Sequence, residues 1–221
     1  MRFILAWART FPPSESVGWT IHFLERHSRY WIAAQAGQKA AGLFEQGTQN
    51  AWEWAKEAEF VRWFTDGERR YGKQLCKLAS VYLKSGEFHP NYGRRKVWRE
   101  GLEVAMKIQG SQGQRRVEWV NSEHPFTAIS PASEVHANHN EAHNSLLRRR
   151  ASAYRRRQNL YAKQVEGLKP VLDVQQLVHN WVRLHWGLTK NTTPAMSIGF
   201  CKRPVTMHEL LTCRGFHSLI R

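Results

Sequence analysis

The chain has 221 residues, 33 Lys and Arg against 18 Asp and Glu, and a formal net charge of +15. That balance makes a polyanion the default partner and favours nucleic acid over membrane. No run of roughly 18 apolar residues exists for a transmembrane helix, and Phe3–Ala8 is too short and too weakly flanked for a secretory signal. The expected setting is soluble and cytoplasmic. The length suffices for one domain with a full core, to which ten Trp contribute. Cys76, Cys201 and Cys213 are odd in number with no close pair, which argues against a disulfide framework and a zinc ribbon. Cys201, Cys213, His208 and His185 match no standard zinc spacing.

Residues 1–18 carry Pro12-Pro13 and no clear periodicity, so they read as a poorly determined lead-in. Trp19–Leu24 alternates and is β-prone, Arg26–Ser28 makes a turn, and Tyr30–Ala36 resumes as a second strand, together an antiparallel hairpin. Ala40–Trp54 suits a helix through Leu43, Ala51 and Trp54, weakened at its centre by Gly47 and Thr48. Phe60–Phe64 is a short apolar strand ending at Thr65-Asp66-Gly67, and a helix over Glu68–Leu78 presents Tyr71, Leu75 and Leu78 on one side. An acid at the carboxyl end of a strand is where sites form in open α/β sheets. Asp-Gly is equally a favoured turn pair. The other Asp of the chain, Asp173, lies near a helix start, where capping is its ordinary role.

From about 84 to 137 the sequence reads as a basic, loop-rich insertion with Arg94-Arg95-Lys96, Arg115-Arg116 and one strand at Arg116–Val120. A long helix then carries Glu141 and ends near Gly167 and Pro170. Glu141, Arg148 and Arg155 are spaced by seven along one stripe, beside an apolar seam of Leu147, Tyr154 and Tyr161. The plain interpretation is a solvated basic helix whose Glu meets neighbours at i,i+4 or i,i+7. The sharper one is a metal-ligating carboxylate with DNA-phosphate contacts further along the same face. His136, His139 and His143 gather near Glu141 and suit surface or phosphate-adjacent positions. Val171–His185 is another helix, Thr192–Met196 a capped helix start with Pro in the first turn, and Thr206–Thr212 a short helix in the tail.

This order of elements is an α/β layout with helices expected on both faces of a sheet. Asp66 and Glu141, brought together, can hold Mg²⁺ or Mn²⁺, hard cations that leave positions open for phosphate oxygens. Two such ions about 4 Å apart would activate a water or a DNA 3′-hydroxyl for in-line displacement. Surrounding Lys and Arg would hold the phosphodiester backbone, with an affinity that falls steeply with salt.

Three blocks together resemble the catalytic region of DDE-type transposases from small bacterial insertion sequences. They are Phe64-Thr65-Asp66-Gly67 with Arg69-Arg70-Tyr71, then Glu141-x-x-Asn144-x-x-Leu147-Arg148, then His179-Asn180-Trp181-Val182-Arg183-x-His185 leading into Thr193-Pro194-Ala195-Met196 and Gly199. The resemblance covers residues 19–200, with 201–221 as a C-terminal tail. It implies a ribonuclease H-like mixed sheet with an incomplete first strand and C-terminal helices. Asp66 and Glu141 would be the catalytic and metal-binding acids. Asn144, Arg148, Arg149, Arg155 and Arg156 would contact DNA. The implied activity is metal-dependent DNA cleavage and strand transfer at insertion-sequence ends, in a nucleoid-associated bacterial protein that binds duplex DNA, with assembly into a homo-oligomer on DNA left open. The departure is equally specific. The family's first Asp belongs on a strand ahead of Trp19–Leu24, yet residues 1–65 hold no Asp, and neither Glu25 nor Glu15 suits that place. No amino-terminal DNA-recognition module is recognisable either. The chain therefore reads as a 5′-truncated or start-misassigned copy, inactive or impaired through loss of the first acid. The alternative is a non-catalytic DNA-binding remnant.

Overall fold

A computed structural model describes residues 2–10, 18–38, 40–65, 68–82, 88–89, 93–94, 96–109, 115–119, 138–154 and 165–213. Its centre is a six-stranded mixed sheet. The strands are β1 (Arg2–Thr10), β2 (Gly18–Glu25), β3 (Trp31–Gln38), β4 (Val61–Thr65), β9 (Leu102–Gln109) and β10 (Arg115–Trp119), in the order β10-β9-β4-β1-β2-β3. β1 runs parallel to β4, and β4 parallel to β9; β2 runs against both of its neighbours, and β10 against β9. Small ribbons lie between β4 and β9: β5 (Ser80–Tyr82) pairs with β8 (Lys96–Trp98), and β6 (Phe88–His89) with β7 (Gly93–Arg94).

Two expectations are corrected here. Residues 2–10 are not an undetermined lead-in or an incomplete strand but a nine-residue strand between β2 and β4. A strand enclosed by neighbours on both sides can read as a nearly continuous apolar run rather than an alternation, and Phe3-Ile4-Leu5-Ala6-Trp7-Ala8 is such a run. Likewise the stretch 84–137 is not wholly an insertion, because Leu102–Gln109 is a strand of the main sheet, in register with β4. Leu102, Val104, Met106 and Ile108 alternate as a strand should, inside a basic context that obscures them.

Helices cover both faces. On one, α1 (Ala41–Ala55) and α2 (Arg69–Ala79) bring Phe44, Ala51, Trp52, Tyr71 and Leu75 against Ile4, Ile21, Phe23, Val61, Trp63 and Val104. Gly47 is there because the backbone must come close: a Cβ on it would stand 2.5 Å from Ile21 Cδ1. Glu68 caps α2 by accepting from Arg70 N at 3.2 Å, while Leu78, expected inside with Tyr71 and Leu75, faces outward. On the other face, α3 (Asn138–Arg150) and α4 (Leu168–Leu177) bring Leu147, Leu168 and Leu172 against Leu24 and Trp31.

The helix expected to run on from Glu141 ends as α3 at Arg150, followed by a 3₁₀ turn over Ser152–Tyr154. Pro170 lies inside the first turn of α4, where its missing N–H costs nothing. Asp173 therefore falls mid-helix; it pairs with Lys169 at 3.1 Å instead of capping. α4 passes into a π-helical turn over Val178–Val182. Thr193 caps the four-residue α5 (Pro194–Ser197) by accepting from Met196 N, and Thr206 with Glu209 forms a capping box on α6 (Met207–Thr212). Among the described residues no helix is long and apolar enough to cross a membrane.

The turn into β9 depends on Gly101, at φ 77°, whose carbonyl accepts from Val61 N at 2.8 Å. A Cβ there would stand 2.0 Å from the Glu59 carbonyl oxygen, a backbone atom that cannot step aside. Gly101→Ala should destabilise the fold by about 2 kcal/mol or more in urea unfolding. An unchanged midpoint would refute this account of the β4–β9 junction. On the opposite edge, the Asn180 side chain accepts from Trp31 N at 2.8 Å and donates to Trp31 O at 2.9 Å, both within the interior. Asn180→Ala should cost about 2–3 kcal/mol in the same experiment, since it leaves buried backbone groups without that partner; a loss below about 0.5 kcal/mol would contradict it.

Candidate functional site

Asp66 follows Thr65, the last residue of β4, which is fully buried and in register with Ala6 of β1. Asp66 itself lies outside the described residues, as do Arg155, Arg156, His136 and Tyr161. Glu141 belongs to the first turn of α3, and its side chain is likewise outside the described part. The register still locates what surrounds the end of β4. Trp7 of β1 comes one residue past the Ala6–Thr65 pair and is in register with His22 of β2. β1 holds no acidic residue at any position.

Glu25 is at the wrong end of the sheet to replace it. It is in register with Ile4, at the start of β1, whereas the Asp66 end of β4 adjoins Ala6 and Trp7. Its carboxylate is buried and occupied, accepting from Ser28 N at 2.6 Å, from the Ser28 hydroxyl and from His27 N at 3.3 Å. Glu25 closes the β2–β3 turn.

The inward face of α3 is formed by Asn140, His143, Asn144 and Leu147, spaced by three and four residues. Asn144, expected on the DNA side, is 2% exposed, so the DNA backbone cannot reach it in this conformation. The side-chain amides of Asn140 and Asn144 make no hydrogen bond among the described residues, a desolvation cost of about 1–3 kcal/mol per group. Arg148 is half-buried, and Arg149 is exposed. Of the arginines expected to meet DNA, Arg149 is thus the one described residue openly presented to solvent.

A cluster unforeseen in the sequence lies under α3. His143 is buried against Trp31, with ring centroids 4.3 Å apart, and against His22 and His179, each at 5.0 Å. His179 continues the chain to His185 at 4.4 Å and makes a 2.8 Å hydrogen bond from Nε2 to Arg29 O. His143 therefore belongs to the core and not to the surface. Its position one helical turn before Leu147, on the apolar stripe, was the available signal. Burial pushes the His143 pKa well below the ordinary imidazole value, reinforced by His179, His22 and His185. Burial also takes His179 down to about 3 and lowers His185, to which Arg29 and Arg183 add repulsion. Among the described residues, no group of three His, Cys, Asp or Glu is arranged to hold a metal ion, and Cys76, Cys201 and Cys213 are in no disulfide.

The molecule these features define is a mixed α/β protein. No protein-family model matches the chain, and neither a curated protein nor a solved structure shows significant similarity to it.

Because the histidine pKa values fall on folding, the unfolded chain binds more protons below pH 6.5. The neutral cluster's contribution is complete above that pH and is lost as pH falls toward about 3. By pH 5, His179 should have removed about 2 kcal/mol of stability, and His143, lowered by the same burial, acts in the same direction. Urea unfolding at pH 7.5 and pH 5 measures this; equal stabilities, or the same pH dependence in His143→Gln, would refute it.

Proposed function

We propose that the chain is a DDE-type transposase domain that binds duplex DNA and whose strand-cleavage site is incomplete at β1. One observation carries this reading: a mixed sheet in which β1 is central, β2 alone among β1–β4 and β9 runs antiparallel, an acid follows β4, and an acid-bearing helix covers one face. A ribonuclease H-like transposase domain requires that layout. The order of the three sequence blocks and the charge of +15 support the same reading.

Asp66 and Glu141 would hold Mg²⁺ or Mn²⁺, and their oxygen donors suit a hard cation that keeps positions open for phosphate. When bound, the metal would supply Lewis-acid activation of a water or 3′-hydroxyl. The chain's own residues would position DNA. Arg149, and Arg148 behind it, offer guanidiniums from the last turn of α3, and Arg155 and Arg156 follow in sequence. Each phosphate contact so made releases counterions and steepens the salt dependence of binding.

A second reading, a non-catalytic DNA-binding remnant, is favoured by the composition of β1. Ala6 and Trp7 stand beside the end of β4 where a third carboxylate would be needed, and Glu25 is committed to its turn. Loss of one acid costs transition-state stabilisation at about tenfold in rate per 1.4 kcal/mol.

One experiment separates the readings. The purified chain is assayed for duplex DNA binding across salt and for nicking with Mg²⁺ or Mn²⁺, beside Asp66→Ala, Glu141→Gln and Arg149→Ala. The transposase reading expects weak metal-dependent nicking that both acid variants abolish. The remnant reading expects binding without nicking. In either case Arg149→Ala should weaken binding to all sequences alike and reduce the salt slope by about one. Absence of salt-sensitive DNA binding would sink both.

A further inference from the structure

Trp186 differs from the other described tryptophans. Trp31, Trp63 and Trp98 are fully enclosed and Trp52 and Trp181 are buried, whereas the Trp186 indole is fully exposed. An aromatic side chain of this size withdraws roughly 150–250 Å² from water when it packs. A chain rich in core tryptophan leaves that gain unused at one position.

The exposure is held in place by structure. His185 N donates to Thr192 O, Leu188 N to His185 O and Thr192 N to Thr189 O, each at 3.1 Å, and Arg183 N donates to Val178 O at 3.0 Å. The His185 ring, next to Trp186, is rooted against His179 in the buried cluster. The indole thus projects from a braced loop, and little conformational freedom remains to be lost when a partner covers it.

Along the segment that carries it, the charge is of one sign. From Val174 to His208 the sequence contains no Asp or Glu, while Arg183 and Lys190 flank the loop and Lys202 follows; Arg203 is already paired with Glu209. Arg29, from the β2–β3 turn, joins them: its Nη2 lies 3.8 Å from where a Cβ on Gly187 would stand. An exposed aromatic face on a segment that carries cations and no acid of its own matches what binds unpaired nucleic acid, where bases stack on the ring and the backbone meets the charges.

Resting on the DNA-binding reading above, we infer that the Trp186 loop stacks on an unpaired nucleobase, so that the chain grips frayed or single-stranded DNA ends in addition to duplex backbone. The cations hold the phosphates on either side of the stacked base. Any base serves, because every base has a π face.

The test compares binding of a blunt duplex with binding of the same duplex carrying a short unpaired 3′ extension. Wild type, Trp186→Phe and Trp186→Ala are measured by fluorescence anisotropy, with sedimentation of each protein alone. The expected result is a wild-type preference for the extended DNA, with about tenfold weaker binding of that DNA by Trp186→Ala. Blunt-duplex binding should be unchanged, and Trp186→Phe should keep most of the preference. The inference is overturned if Trp186→Ala binds both DNAs as wild type does, or loses affinity equally for both. It is also overturned if the substitution alters self-association and not DNA binding, which would make the loop a contact between copies. Blunt-duplex binding by wild type without any preference for the extension overturns this inference alone; failure to bind either DNA removes the DNA-binding reading and the inference with it.

Discussion

The docking of the C-terminal half onto the sheet depends on one side chain meeting one backbone residue, Asn180 on Trp31. Trp31 opens β3, the edge strand, and the Asn180 amide satisfies both its N–H and its carbonyl as a neighbouring strand would. Gln176, one helical turn earlier, donates to the carbonyls of Trp31 and Ile32 at 2.8 and 3.0 Å. The π-helical turn over Val178–Val182 sets these two amides and His179 toward β3 together. An edge that would otherwise present open backbone groups is closed by side chains. Everything beyond it, from the histidine cluster to the Trp186 loop, takes its position from that closure.

The same contact reinterprets the sequence block from His179 to His185. A string of His, Asn, Trp, Arg and His suggests chemistry, yet its first three side chains have packing roles. Asn180 pairs with Trp31, His179 with the Arg29 carbonyl, and Trp181 belongs to a small core with Ala195, Cys201 and Val205. Val205 N donates to Trp181 O at 2.9 Å, which ties the segment before α6 to the same turn. Such a block is specific because many partners must agree with it at once.

Much of the fold was legible in local pattern. The β2–β3 hairpin alternates, α1 and α2 carry apolar stripes, and the caps at Thr193 and Thr206 follow from hydroxyl and Pro placement. Less legible were elements whose identity depends on distant partners. β1 carries the apolar run Phe3–Ala8 because it lies enclosed between β2 and β4, and β9 finds β4 across some forty residues of sequence. The acids were readable as candidates, Asp66 because the chain has only two Asp and this one follows a strand, Glu141 because it lies on an otherwise arginine-rich helix. Glu25 could be judged only in register: a buried carboxylate looks alike in sequence whether it binds a metal or closes a turn. The histidines were hidden for a different reason, because hydrophobic periodicity does not count imidazole as core, although a neutral imidazole packs on Trp31 as an aromatic ring does.

The interior holds imidazoles kept neutral by burial, with Arg29 and Arg183 near enough to oppose a proton on His185. The chain as a whole carries a net charge of +15, whose self-repulsion works against the compact state. A polyanion that meets the arginines of α3 or the cations of the Trp186 loop relieves that repulsion and binds the folded form. By linkage it stabilises the fold as it binds. Protonation of the cluster acts in the opposite direction, adding positive charge beneath α3, the helix that carries Glu141 and Arg149. Burial of the imidazoles and screening of the basic surface therefore act on stability in the same sense, and the chain is held most firmly where its imidazoles are neutral and its surface cations are covered.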